Sequence, residues 1–89
     1  MLRRIVLIYL KFKDARMECI EFNCYFEETN EDIISEIDLL VVANVSEIEQ
    51  IYNSPFLVEM EHQTYVFSDY KLWEFYETEN GLVKIICRK

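Results

Sequence analysis

Glycine and proline are nearly missing from this chain, with one of each in 89 residues, at Gly81 and Pro55. Phosphate cradles and dinucleotide fingerprints need several glycines, because only a missing Cβ lets the backbone close on a ligand, so such nucleotide sites are excluded. The same scarcity leaves little room for long irregular loops, and most of the chain is expected in regular elements joined by short connections. Histidine is single too. His62 stands between Glu61 and Gln63 without a serine and acid arranged as a triad, and it reads as a solvated turn residue. The three cysteines, Cys19, Cys24 and Cys87, match no zinc-ligand spacing, and an odd count without an export signal reads as free thiols. Five residues apart, Cys19 and Cys24 are expected on opposite faces of a strand.

Long apolar runs are missing as well. Nothing approaches the roughly 18 residues of a membrane span. The start, Met1-Leu2-Arg3-Arg4 followed by an apolar run to Leu10, mimics a signal peptide, but Lys11 ends the run and no small-residue cleavage site follows. A cytoplasmic protein without membrane contact is the expectation. The most informative absence is positive charge. Positions 17–70, a run of 54 residues, contain no Lys or Arg and 13 acids, while all nine bases lie nearer the ends. The net charge is −8.

What is present is apolar and aromatic: 52% hydrophobic residues, including 13 aromatics, enough for one domain over residues 1–89 with its own small core. The strongest local signal is Asn80-Gly81 between two apolar stretches, the pair that tolerates the positive φ of a tight hairpin turn. A two-residue turn there sets Glu77 opposite Lys84, Phe75 opposite Ile86 and Trp73 opposite Arg88, with Tyr76 and Ile85, and Glu74 and Cys87, on the other face.

The remaining elements follow in order. Residues 3–12 are β-branched and nearly continuously apolar, as in a strand covered on both faces or placed centrally in a sheet, and 13–16 form a turn. In 17–27, Ile20, Phe22, Cys24 and Phe26 alternate with polar residues, as in a strand with one wet face. Thr29 with Asp32 resembles a capping box, and Ile33, Ile34, Ile37, Leu40 and Val41 fall on one helical stripe. Residues 39–42 fit either the last turn of that helix or a strand, and the helix is the reading adopted. Ser46 with Glu49 opens a second short helix carrying Ile48, Ile51 and Tyr52 and stopped by Asn53-Ser54-Pro55. Residues 56–61 and 64–68 read as strands. The expected fold is α+β, a single antiparallel sheet of about five strands with two short helices on one face, in the order ββααβββ.

No catalytic, cofactor-binding or metal-binding set emerges. Glu27, Glu28, Glu31 and Asp32 are the densest carboxylates, but they lack the order and the glycine of a calcium loop. The base-free middle points instead to a non-enzymatic interaction protein that offers an acidic face to a basic protein partner, a nucleic-acid-binding complex among the candidates, and that repels nucleic acid itself. Glu21, Glu27, Glu28, Glu31, Asp32 and Glu36 are the candidate contacts, with Tyr25, Tyr70, Trp73 and Tyr76 as aromatic anchors. Small phage proteins that blunt host defence, anti-CRISPR proteins and DNA mimics, are similar in charge and size alone. An immunity protein or antitoxin neutralising a basic toxin would use the same physics, and a homodimeric scaffolding protein is a third reading, through its aromatics or an edge strand.

Overall fold

Seven strands and one helix succeed one another among the described residues: β1 (Ile8–Phe12), β2 (Ala15–Phe26), β3 (Ile34–Val42), α1 (Val45–Gln50), β4 (Phe56–Met60), β5 (Gln63–Phe67), β6 (Lys71–Glu79) and β7 (Leu82–Arg88). This computed structural model describes residues 8–12, 15–51, 55–60, 63–67 and 69–88, apart from the side chain of Trp73. The strands form one curled antiparallel sheet in the order β5-β4-β1-β2-β3-β7-β6. The first three make a meander, and the hairpins β4–β5 and β6–β7 add to its two sides. About 71% of the described residues are strand. The expected α+β fold with five strands and two helices is therefore wrong.

The missing helix is β3. Ile33, Ile34, Ile37, Leu40 and Val41 do fit a helical stripe, but Ile37, Leu39 and Val41 also alternate, and these three are fully buried. Ile34, Ile37, Val41 and Val42 are β-branched and suit a pleated backbone, and β2 and β7 lie ready on either side to complete the ladder. Thr29 and Asp32 form no cap. Asn30 closes a turn instead, its Oδ1 accepting from the Asp32 N–H at 3.0 Å. The second helix does form, but two residues earlier than expected: Asn44 and Glu47 make the capping box, and Ile48 and Ile51 enter the core.

Bulges explain the other differences. Cys19 pairs with Val41 and Glu21 with Leu40, so Ile20 is an extra residue and the alternation changes face there. Met17 and Cys19 face the core before the bulge and Phe22 and Cys24 after it, while Ile20 is half exposed. Cys19 and Cys24 thus share one face, contrary to simple alternation. In the β6–β7 hairpin the Asn80-Gly81 tip is as expected, with Gly81 at φ 84° and Glu79 opposite Leu82. Thr78 and Trp73 are then each an extra residue, which slides the register first by one place and then by two. The observed pairs are Glu77 with Val83, Tyr76 with Lys84, Phe75 with Ile85 and Glu74 with Ile86, and none of the five expected pairs forms.

The core lies on the concave face and is capped by α1, which rests against β6. Aromatic rings run through it from Phe12 to Phe56 at 5.4 Å, to Phe67 at 5.3 Å and on to Tyr70 at 5.5 Å. Phe22 of β2 meets Tyr65 and Phe67 of β5 at 5.9 and 6.1 Å, although two strands separate them in the sheet. Those contacts require the curl. The expected strand residues 3–7, the turn at 13–14, and Tyr52, Asn53, Ser54, Glu61, His62 and Ser68 lie outside the described residues. No helix among the described residues is long and apolar enough to cross a membrane.

Two substitutions separate this strand pattern from the helical one. Leu39→Ala removes a fully buried side chain and is expected to cost about 2–5 kcal/mol in chemical denaturation, whereas Ile20→Ser, at the exposed bulge, should stay within about 0.5 kcal/mol. Comparable losses at both sites would argue against the bulged register. Gly81→Ala forces a left-handed conformation on an L side chain and should lower stability by about 1 kcal/mol, measured the same way.

Candidate interaction surface

The order of the strands decides where charge accumulates. β7, which carries Lys84 and Arg88, lies directly beside β3, which carries Glu36 and Asp38. Arg88 Nε donates to Glu36 Oε1 at 3.0 Å, and Lys84 Nζ stands 4.0 Å from Asp38 Oδ2. On the other half of the sheet Lys11 Nζ reaches Glu59 Oε1 at 3.1 Å. The base-free stretch of sequence is thus not a base-free surface, because cations from both ends of the chain sit among its acids. The convex face of β2, β3, β7 and β6 is a mixed field, with Glu21, Glu36, Asp38 and Glu74 interleaved with Lys71, Lys84 and Arg88.

Uncompensated acid remains at the ends of β3. The β2–β3 loop carries Glu27, Glu28, Glu31 and Asp32, and no cation among the described residues pairs with them. This loop is tied internally: the Glu27 N–H donates to the Ile33 carbonyl at 2.8 Å, the Ile33 N–H to the Asn30 carbonyl at 3.1 Å, and the Asp32 N–H to Asn30 Oδ1. The backbone that carries four carboxylates in six positions is therefore tied into a turn. Two aromatics border them, Tyr25 at 48% and Phe26 at 53% exposure. At the opposite end of β3, roughly 30 Å away at about 3.3 Å per residue, Glu47 and Glu77 line a depression of about 340 Å³ with Val42, Ala43, Asn44, Asn80 and Gly81.

The structure brings together Tyr25, Glu27, Glu28, Glu31 and Asp32, with Glu36 cross-strand from Tyr25. Glu21 lies opposite Leu40 in mid-sheet, and Tyr76 is exposed on β6, three strands from Tyr25. Tyr70 is a strut: half buried, it donates its hydroxyl to the Ile34 carbonyl at 2.6 Å, where β3 begins. Burial pushes its phenol upward, with the charges of Cys24, Asp69 and Glu27 adding to the effect. The Trp73 side chain lies outside the described residues. Phe26, which alternation assigns to the core, is the residue sequence reasoning missed; its place at a strand end against a charged loop was the available signal.

Burial pushes the Cys19 thiol up to about 11 and Cys87 up to about 12, and it raises Cys24 as well, so the nucleophilic thiolate is disfavoured at all three. Among the described residues no three side chains are grouped to hold a metal ion. No protein-family model, curated protein or solved structure matches this chain.

Asp38 is the one strained ionisable group on the convex face. It is 9% exposed, and its Oδ1 has no hydrogen-bond donor among the described residues. Burial raises its pKa first, then a side-chain hydrogen bond and repulsion from Glu36, while Lys84 and Arg88 oppose the shift. Between two carboxyls such a bond exists only when one of them carries a proton. Because the folded value lies above the unfolded one, ionised Asp38 costs stability above its folded value, and the cost vanishes once the pH falls below the ordinary aspartate value of about 3.9. Asp38→Asn keeps the shape and supplies a donor to Glu36. In urea denaturation from pH 3.5 to 7 the variant should gain on the parent as pH rises; a difference that is flat with pH would count against the account.

Proposed function

We propose that this chain is a non-enzymatic binding protein that engages a basic protein surface with the β2–β3 end of its sheet. Tyr25 and Phe26 supply apolar contact, and Glu27, Glu28, Glu31 and Asp32 supply long-range attraction. The observation that carries the reading is the tied loop: four carboxylates without a cation among the described residues, fixed beside two half-exposed aromatics. A preorganised loop loses little entropy on docking, and charge of one sign raises the rate of encounter with its opposite. A basic surface built for nucleic acid is the partner class that fits, which makes the chain an inhibitor of the anti-defence kind acting in the cytoplasm. A basic toxin would meet the same loop in the same way.

The test is capture from a low-salt lysate on immobilised protein, with the parent compared against the variant Glu27→Lys, Glu28→Lys, Glu31→Lys, Asp32→Lys. The loop's own hydrogen bonds use backbone groups and Asn30, so the reversed variant should keep its fold. Basic proteins should be retained by the parent, released as salt approaches about 0.5 M, where the screening length falls to a few ångströms, and lost with the variant. Displacement by DNA would point to a nucleic-acid-binding surface, and indifference to DNA to a toxin. Tyr25→Ala and Phe26→Ala should each weaken binding by about tenfold, the effect of removing an interface anchor worth roughly 1–2 kcal/mol. Equal capture by parent and reversed variant rejects the reading.

A further inference from the structure

The two edges of the sheet are protected unequally. β6 carries Lys71, Glu74, Glu77 and Glu79 and is broken by bulges at Trp73 and Thr78, both of which discourage a further strand from pairing. β5 has none of these features. Gln63-Thr64-Tyr65-Val66-Phe67 contains no charge, no proline and no bulge, and all five residues stay in register with β4. Val66 is 66% exposed, the most exposed of the large apolar side chains among the described residues. Beside it is an apolar depression of about 170 Å³ lined by Lys11, Pro55, Phe56, Leu57 and Val66. A short strand of β-branched and aromatic residues whose outer edge pairs with no other strand among the described residues is a template for another strand.

Electrostatics selects the occupant. Two copies of a chain with net charge −8 repel each other over most of their surface, but β5 is uncharged and the cation beside it, Lys11, is already matched by Glu59 at 3.1 Å. Within Gln63–Phe67 two acidic copies can meet without placing carboxylates opposite one another. We infer that β5 pairs antiparallel with β5 of a second copy, joining the two sheets across a two-fold axis at Tyr65. That register sets Thr64 opposite the second copy's Val66 and Gln63 opposite its Phe67, so both copies cover Val66 and no like charges oppose one another. Asp69, exposed beyond the end of the strand, confines the pairing to these five residues. An interface this short belongs with contacts below roughly 1,200 Å², which are weak and transient. The dimer is accordingly a species that grows with concentration.

This inference stands apart from the acidic-loop reading, because salt acts on the two in opposite directions. Screening removes attraction to a basic partner, but it relieves repulsion between identical acidic chains. Sedimentation equilibrium of the full chain from about 5 to 500 µM, at low salt and at about 0.5 M salt, should show a mass rising from monomer toward dimer, with association tighter at high salt. Val66→Lys and Thr64→Lys each bring cations from the two copies to diagonal positions about 7–8 Å apart and should hold the protein monomeric at every concentration. Both sites are exposed, so circular dichroism and thermal unfolding should match the parent. Glu77→Thr, on the guarded edge, should leave the association unchanged. A monomer throughout the range, or association that survives both lysines, overturns the inference.

Discussion

The ring cluster centred on Phe67 is the contact on which the rest of this structure depends. A seven-stranded antiparallel sheet with, among the described residues, a single six-residue helix has too little helix to cover one of its faces, and it covers that face by rolling up. Phe67 provides the closure. It touches Phe56, Phe22, Tyr65 and Tyr70, and so gathers rings from β4, β2, β5 and the link to β6 at one point on the concave side. Tyr70 carries the constraint further, since its hydroxyl holds the carbonyl of Ile34 at the first residue of β3. The acidic loop ends there. The end of the loop is thus tied to the aromatic core as well as to its own Asn30 turn, and the same roll leaves β5 as an outer strand of the sheet among the described residues.

Charge in this protein is organised by topology more than by sequence order. In the chain, acids fill the middle and bases the ends; in the sheet, β7 returns to lie against β3 and brings Lys84 and Arg88 to Asp38 and Glu36. The crossing sets cations among the acids of the convex face, while no cation among the described residues pairs with the acids of the β2–β3 loop. A long single-sign stretch therefore predicts an acidic surface only where the fold brings it no cation. Among the described residues the β2–β3 loop receives none, and the centre of the sheet does.

How much of this could be read from the residues depends on the range of the forces involved. Asn80-Gly81 was legible because a two-residue turn is a local matter of permitted φ, and α1 was legible to within two residues because a cap is local too. β3 was not. Its apolar positions satisfy periods of 2 and 3.6 together, and the choice was made by β2 and β7, whose pairing no local pattern records. The bulges at Ile20, Trp73 and Thr78 were invisible for the same reason, since each is defined by a partner strand, and every cross-strand pair assigned in the hairpin failed once one extra residue entered. Of the candidate site, Glu27, Glu28, Glu31, Asp32 and Tyr25 were found because exposed acids and a strand-end tyrosine need no tertiary information. Phe26 was lost to an alternation that the strand does not keep to its end.

Asp38 gives the irregularities a common purpose. β3 and β7 are rich in Ile, Leu and Val on both faces, and such strands can slide by one residue at little apolar cost. A slip of one place would carry Asp38 to the concave side among Leu39, Ile37 and Cys87, where a carboxylate would have no water and no cation. In the register observed it is merely strained, with Lys84 at 4.0 Å and Glu36 in reach. The penalty for the alternative register exceeds the penalty for this one, so a group that weakens the native sheet also singles it out. The bulge at Ile20 acts together with it, since removing that extra residue would turn Phe22 and Cys24 outward while Asp38 held β3 in place. The register of the central strands is thus favoured by one misplaced charge and by the extra residues Ile20 and Ser35, where the flat hydrophobic pattern around them leaves it open.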